Sequence, residues 1–209
     1  MRGKREAWAM VEAEHADFVS LVRRLTLEQW SVPSLCEGWS VRDVVVHAAR
    51  GRKNTWATLK LWASAGFGSP HKANAKELEL HRVLSTDEVT ALLAAPIKPG
   101  ATWDMQNQLR GLMIHQQDIR RPLRMARAIP ADRIARVLDL GLTRAGSANL
   151  GSRRRARGLR LSATDIEWTA GTGAEVRGPA EALLMAISGR HAALDDLSGD
   201  GKEELARRM

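Results

Sequence analysis

Only one cysteine, Cys36, occurs in the 209 residues. A disulfide framework within the chain is therefore excluded, and a reducing compartment is the natural setting. The thiol itself reads as either a free group or a small buried residue. No apolar stretch approaches the roughly 20 residues that cross a bilayer, and the opening MRGKREAWAM lacks the apolar core and cleavage site of a secretory signal. A cytoplasmic location with no membrane partner is the expectation. Also missing are a Gly-rich phosphate loop, a CxxC pair, a Ser/His/Asp arrangement, internal repeats and low-complexity tracts, so the chemistries tied to those motifs have no foothold here.

What remains is an ordinary folded composition, 44% apolar and 27% charged, with a formal charge of +8. Such a basic balance raises nucleic acid as a partner. The arginines fall into two groups, one made of Arg110, Arg120, Arg121, Arg124 and Arg127, the other the run RRRAR at Arg153 to Arg157. The run has no interleaved aromatics and reads as a solvated loop between a helix and a strand, which weighs against nucleic-acid binding and leaves a small molecule as the expected partner.

Helices dominate the first three quarters. Trp8, Val11, His15, Phe18, Val22 and Leu25 recur at steps of three and four, the stripe of an amphipathic helix. His15 lies within that stripe and is expected to be a core histidine satisfied by one hydrogen bond. Thr26 and Gln29 fit a capping box, Pro33 and Gly38 punctuate a loop, and Ser40 with Asp43 marks a new N-terminus. A second helix is predicted from Ser40 to about Trp62, with His47 at the edge of its apolar face and Gly51 one turn on. A loop over residues 63–74 and a short Ser85-capped helix ended by Pro96 come next. A third long helix spans about Thr102 to Arg120. His115 sits on the margin of its stripe beside Gln108, with Gly111 one turn before, so the two histidines repeat one arrangement.

Pro122 ends that helix, and another begins with Pro130 in its first turn. Beyond the arginine run the period changes: LRLSATDIEWTAGTGAEVRGP alternates around GTG, the pattern of a β-hairpin. PAEALLMAISG and HAALDDLSG then read as a helix and a final short one. The fold class expected is mainly α, a helical bundle over residues 1–150 followed by a small α+β segment over 151–209 (hairpin plus helices).

The stretch LTLEQWSVPSLCEGWSVRDVVVHAA resembles the N-terminal signature of the mycothiol-dependent maleylpyruvate isomerase family, part of the DinB-like superfamily of four-helix bundles. IHQQDIRRPL resembles its second signature, and LRLSATDIEWTAGTGAEVRGPAEALLMAISGRHAALDDLSGDG is similar to its C-terminal segment. The resemblance implies a DinB-like four-helix bundle, a divalent metal between helices, and mycothiol or a similar thiol as co-substrate. It carries metal-ligand roles to His47 and His115. The family's acidic ligand would stand at residue 111, where this chain has Gly111, which offers no ligand atom.

Zinc and related ions take three or four protein donors, or fewer with water, so a third donor is wanted. Asp118, three residues past His115, is the carboxylate assigned to that place; the amide oxygen of Gln108 and His15 are alternatives. Zinc is the metal expected. Arg120, at the end of the same helix, is a candidate to pair with a substrate carboxylate, and Gln108 and Trp39 are assigned to substrate contact. A Cys36/His47 nucleophilic pair is conceivable. The function that follows is a metal-assisted, thiol-dependent transferase or isomerase acting on a small electrophilic substrate that bears a carboxylate. The alternative left open by Gly111 is a metal-free binding protein or enzyme reusing the same pocket.

Overall fold

In the computed structural model, residues 2–50, 74, 78–99, 101–147 and 150–209 are described. The molecule is mainly helical with a small three-stranded sheet near its C-terminus, as the sequence pattern predicts. It separates into two compact units, Met1–Met125 and Ala126–Met209.

The first unit is built on α1 (Arg2–Val22), the single-turn α2 (Leu27–Trp30), α3 (Val41–Arg50), α4 (Thr86–Ala94) and α5 (Thr102–Arg120). The α1 stripe buries Val11, Phe18, Leu21 and Val22 completely or nearly so, and α5 meets it with Met105, Leu109, Leu112 and Ile119. Burying side chains of this size stabilises by about 1.5–3 kcal/mol each, which outweighs the two polar residues the α1 stripe also carries, Glu14 and His15. His15 behaves as expected: its Nε2 lies 2.7 Å from the carbonyl oxygen of Leu93 on α4. The starts of α2, α3 and α4 are fixed by their own sequence. Thr26 with Gln29, Ser40 with Asp43 and Ser85 with Glu88 each exchange side-chain and backbone bonds across three residues, satisfying N–H groups that the first helical turn leaves over. The predicted continuation of the second helix to Trp62, with Gly51, and the loop carrying His71 lie outside the described residues.

The second unit holds α6 (Ala131–Leu142), α7 (Arg144–Ser147), α8 (Ser152–Ala156), strands β1 (Leu159–Ala163), β2 (Thr169–Gly171) and β3 (Ala174–Gly178), α9 (Ala180–Ile187), a 3-10 turn at His191–Asp196 and α10 (Lys202–Arg207). Every residue of α9 except Glu181 is buried, and it packs on α6 and on the sheet. The helix that begins after Pro130 thus lies in this unit, whose boundary precedes the change of pattern near residue 150.

The sheet corrects the hairpin expected around GTG. Its order is β2-β1-β3, β1 pairing antiparallel with β2 and parallel with β3. The hairpin is β1–β2, turning through residues 164–168, while Gly171-Thr172-Gly173 carries the chain across the start of β1 to its other edge. That crossing explains both glycines. Each has positive φ, +79° and +118°, and a Cβ on either would be driven into the backbone of Gly158 or Leu159. Alternation alone cannot tell a hairpin turn from a crossing, because both call for glycine.

The run Arg153–Arg157, expected as a loop, is mostly the short helix α8. Arg155 is pinned: its Nη1 donates to the carbonyls of Leu150 and Ile187, so this arginine closes the second unit and is not part of a solvated patch. Among the described residues no helix is long and apolar enough to cross a membrane.

Candidate functional site

One face of α5 sets the floor of the site. Asp104, Gln108, Gly111 and His115 follow one another at steps of four, three and four residues, which stacks them along one side of a helix. Together with Asn107 and Leu112, and with His47 and Ala48 from α3, they line a cavity of about 210 Å³. The two histidine rings stand edge to face, centroids 5.1 Å apart and planes at 87°. Helix α3 brings His47 there because Val41, Val44 and Val45 are fully buried, fixing its rotation. Trp39, from the loop before α3, puts its ring 5.1 Å from His47 at 65°.

That loop is tightly drawn. Ser34 and Trp39 bond backbone to backbone at 2.8 Å, the Ser34 hydroxyl donates to the same carbonyl, and the Cys36 N–H donates to Ser34 Oγ. Gly38, at φ +74°, makes the reversal possible. The loop is also tied to α5, since the Leu35 N–H donates to the Asp118 carbonyl at 3.0 Å. Cys36 is thereby held over the end of α5, where its Sγ donates to Asp118 Oδ2 at 3.1 Å. The same carboxylate oxygen lies 3.1 Å from His115 Nδ1. Asp118 is fully buried, so a carboxylate withdrawn from water has a thiol and an imidazole on the same oxygen.

Of the residues singled out from sequence, His47, His115, Gln108 and Trp39 are brought to one place, and Asp118 joins them behind His115. Gln108 donates through Nε2 to Asp104 Oδ2 at 2.8 Å, which orients both side chains along the cavity. Arg120 goes elsewhere. It is buried, and its Nη2 points to Gln116 Oε1 at 3.5 Å, while Gln116 donates to Glu14 Oε1 at 2.6 Å. This polar seam joins α5 to α1 on the side away from the cavity lining. Arg110 is also buried, and desolvation lowers its guanidinium pKa. Two members of the first arginine group are therefore interior residues. Asp104 and Asn107 line the cavity but were missed from sequence; their spacing from His115, eleven and eight residues, was the signal. Gly111 leaves a gap on the cavity wall: a Cβ there would meet no described atom within 4 Å.

The donor set answers whether these residues suit a divalent metal. Cys36, His115 and Asp118 each offer one ligand atom, and the three atoms lie within 4.8 Å of one another. Nitrogen, oxygen and sulfur donors in this number are what zinc and its neighbours take, so the residues fit. His47 stands beside that trio through its contact with the His115 ring.

Residues 11–99 match the family model of the mycothiol maleylpyruvate isomerase N-terminal domain, which bears out the resemblance carried by the first motif, the one that lies within them. Among solved structures, the chain is similar to one described as the crystal structure of the mycothiol-dependent maleylpyruvate isomerase. The TM-score is 0.63 at 18% identity, covering 95% of this chain and 93% of that one. A second structure of that enzyme, carrying a histidine-to-alanine substitution, agrees to the same extent. No curated protein matches the chain.

Proposed function

From the likeness of residues 11–99 to the mycothiol maleylpyruvate isomerase N-terminal domain, we propose that this protein is a thiol-dependent isomerase or transferase. Its co-substrate is a low-molecular-weight thiol of the mycothiol type, and it acts on a small electrophilic substrate bearing a carboxylate. The observation that carries the reading is the meeting of His47 and His115, from separate helices, with ring centroids 5.1 Å apart on one cavity. A hollow of about 210 Å³ is smaller than the ~300–1,000 Å³ of sites that enclose a drug-sized ligand. It suits the reacting end of a substrate while the rest of a larger thiol lies outside.

A divalent metal, implied by the resemblance and read as zinc, would be held by His115 and Asp118 with His47 beside them, and when bound it would favour the thiolate form of the co-substrate. The chain's own groups do the rest. His47, its ring against that of His115, presents an imidazole to the cavity, a group that can pass a proton to or from the reacting carbon. Trp39 covers one side of His47 with its ring. Gln108, steadied by Asp104, offers its amide oxygen to a substrate donor. Thiolate sulfur adds to the electrophilic carbon of a conjugated unsaturated acid, the π pair moving onto the conjugated carbonyl. Rotation about the new single bond, return of that pair and loss of the thiolate give the isomer. Protonation of the carbon instead leaves the thioether, the product of transfer.

Incubation with mycothiol and a panel of cis-unsaturated diacids, followed by chromatography, tests this reading. Thiol-dependent turnover is expected, falling at least a hundredfold in both His47→Ala and His115→Ala. Turnover that is indifferent to thiol, or that survives both substitutions, would remove the proposal.

A further inference from the structure

Cys36 is the one thiol in the chain, and the loop geometry spends several hydrogen bonds on holding it over the end of α5. Its sulfur meets Asp118 Oδ2 at 3.1 Å, and that same oxygen meets His115 Nδ1 at 3.1 Å. Ligand atoms around a tetrahedral ion at the usual ~2.0–2.3 Å are spaced about 3.3–3.8 Å apart. Two of the three separations in the trio are close to that spacing, and all three lie within 4.8 Å.

We propose that Cys36, His115 Nδ1 and Asp118 form a three-donor site for a thiophilic divalent cation of the zinc class, with Cys36 binding as thiolate. The proposal deepens the metal reading above by naming a ligand that the family resemblance does not assign.

Charge favours this assignment. Thiolate and carboxylate together neutralise a divalent ion, so a site whose carboxylate is fully buried takes the ion without acquiring net charge, the condition under which burying charge is least costly. Proton bookkeeping is simple. The Cys36 proton leaves to solvent, and the imidazole proton resides on Nε2 so that the Nδ1 lone pair faces the ion. Sulfur also sets the selectivity: zinc, cobalt and cadmium are favoured, whereas magnesium and calcium, which want oxygen donors, are not.

Cobalt is the probe. Chelator-treated protein, with no added thiol, is titrated with Co²⁺ and followed by absorption. One equivalent should give a near-ultraviolet thiolate-to-cobalt charge-transfer band, which in a chain with one cysteine can come only from Cys36. The band should vanish in Cys36→Ala and persist in His47→Ala, and Cys36→Ala should weaken zinc binding at least tenfold with its circular dichroism unchanged. Zinc should also shield Cys36 in the unsubstituted protein from alkylation by iodoacetamide, a readout that needs no variant. Absence of the band, or alkylation indifferent to zinc, overturns the site. Thiol-dependent turnover without the band would remove Cys36 as a ligand and leave the isomerase reading standing; the band without turnover would do the reverse.

Discussion

Gly111 shows how one missing side chain shapes the site. Glycine within a helix costs about 1 kcal/mol relative to alanine, yet a Cβ at this position would touch no described atom. Packing does not ask for it, and the space it leaves belongs to the cavity beside His115. Gly111→Ala is therefore expected to stabilise the protein by about 1 kcal/mol in urea unfolding, while the added methyl narrows the cavity and lowers turnover. Equal or lower stability would mean that the backbone there needs glycine. Gly173 is the opposite case. Its φ of +118° and its seat against the Gly158 carbonyl leave no room for a Cβ, so Gly173→Ala should cost about 3 kcal/mol or more. A variant that unfolds at the same urea concentration as the parent would refute the crossing geometry assigned to GTG.

Among the elements, the capped helices were the most legible. Thr26/Gln29, Ser40/Asp43 and Ser85/Glu88 are local statements, settled within four residues, and the structure repeats them bond for bond. The α5 boundaries were equally open to reading, because Pro122 forbids continuation and the apolar period is unbroken from Met105 to Ile119. What stayed hidden was non-local. No spacing rule could reveal that Cys36 would land on Asp118, eighty-two positions away, or that Arg120 would turn to Gln116 and α1. The parallel pairing of β1 with β3 is a matter of topology that an alternating pattern does not encode. The α4 cap also carries a pH signature. The Ser85 N–H, and then its hydroxyl, hold the Glu88 carboxyl below the usual glutamate range. A carboxylate whose folded pKa is depressed stabilises the fold at pH values above its unfolded pKa, and that contribution is lost as pH falls through the folded pKa. The Ser85–Glu88 box should accordingly support α4 at neutral pH and let go in acid. Glu88→Gln is expected to flatten the acid limb of the stability profile measured by thermal melting between pH 7 and 3; an acid limb of unchanged slope would assign that limb to other carboxylates.

For the whole molecule, the division into Met1–Met125 and Ala126–Met209 puts the entire candidate site, from Cys36 to Asp118, in the first unit. The second has its own core, with α9 buried against α6 and the sheet, Trp168 Nε1 bonded to Asp139 at 2.9 Å, and the Asp165 carboxylate accepting the first N–H of α9 at 2.8 Å. A ligand that binds only the folded first unit stabilises what must unfold to release it, by about 2.7 kcal/mol at a hundredfold excess over its dissociation constant. Hydrogen exchange with and without zinc reads where that energy goes. Amides of the loop at residues 34–39 and of α5 near His115 should gain protection on adding zinc, while those of β1, β3 and α9 should exchange at the same rates, because each unit closes its own hydrogen bonds and core. Zinc-dependent slowing that reached α9 as strongly as α5 would show the two units opening as one cooperative body, and the compact division of the chain would then not be a division of its stability.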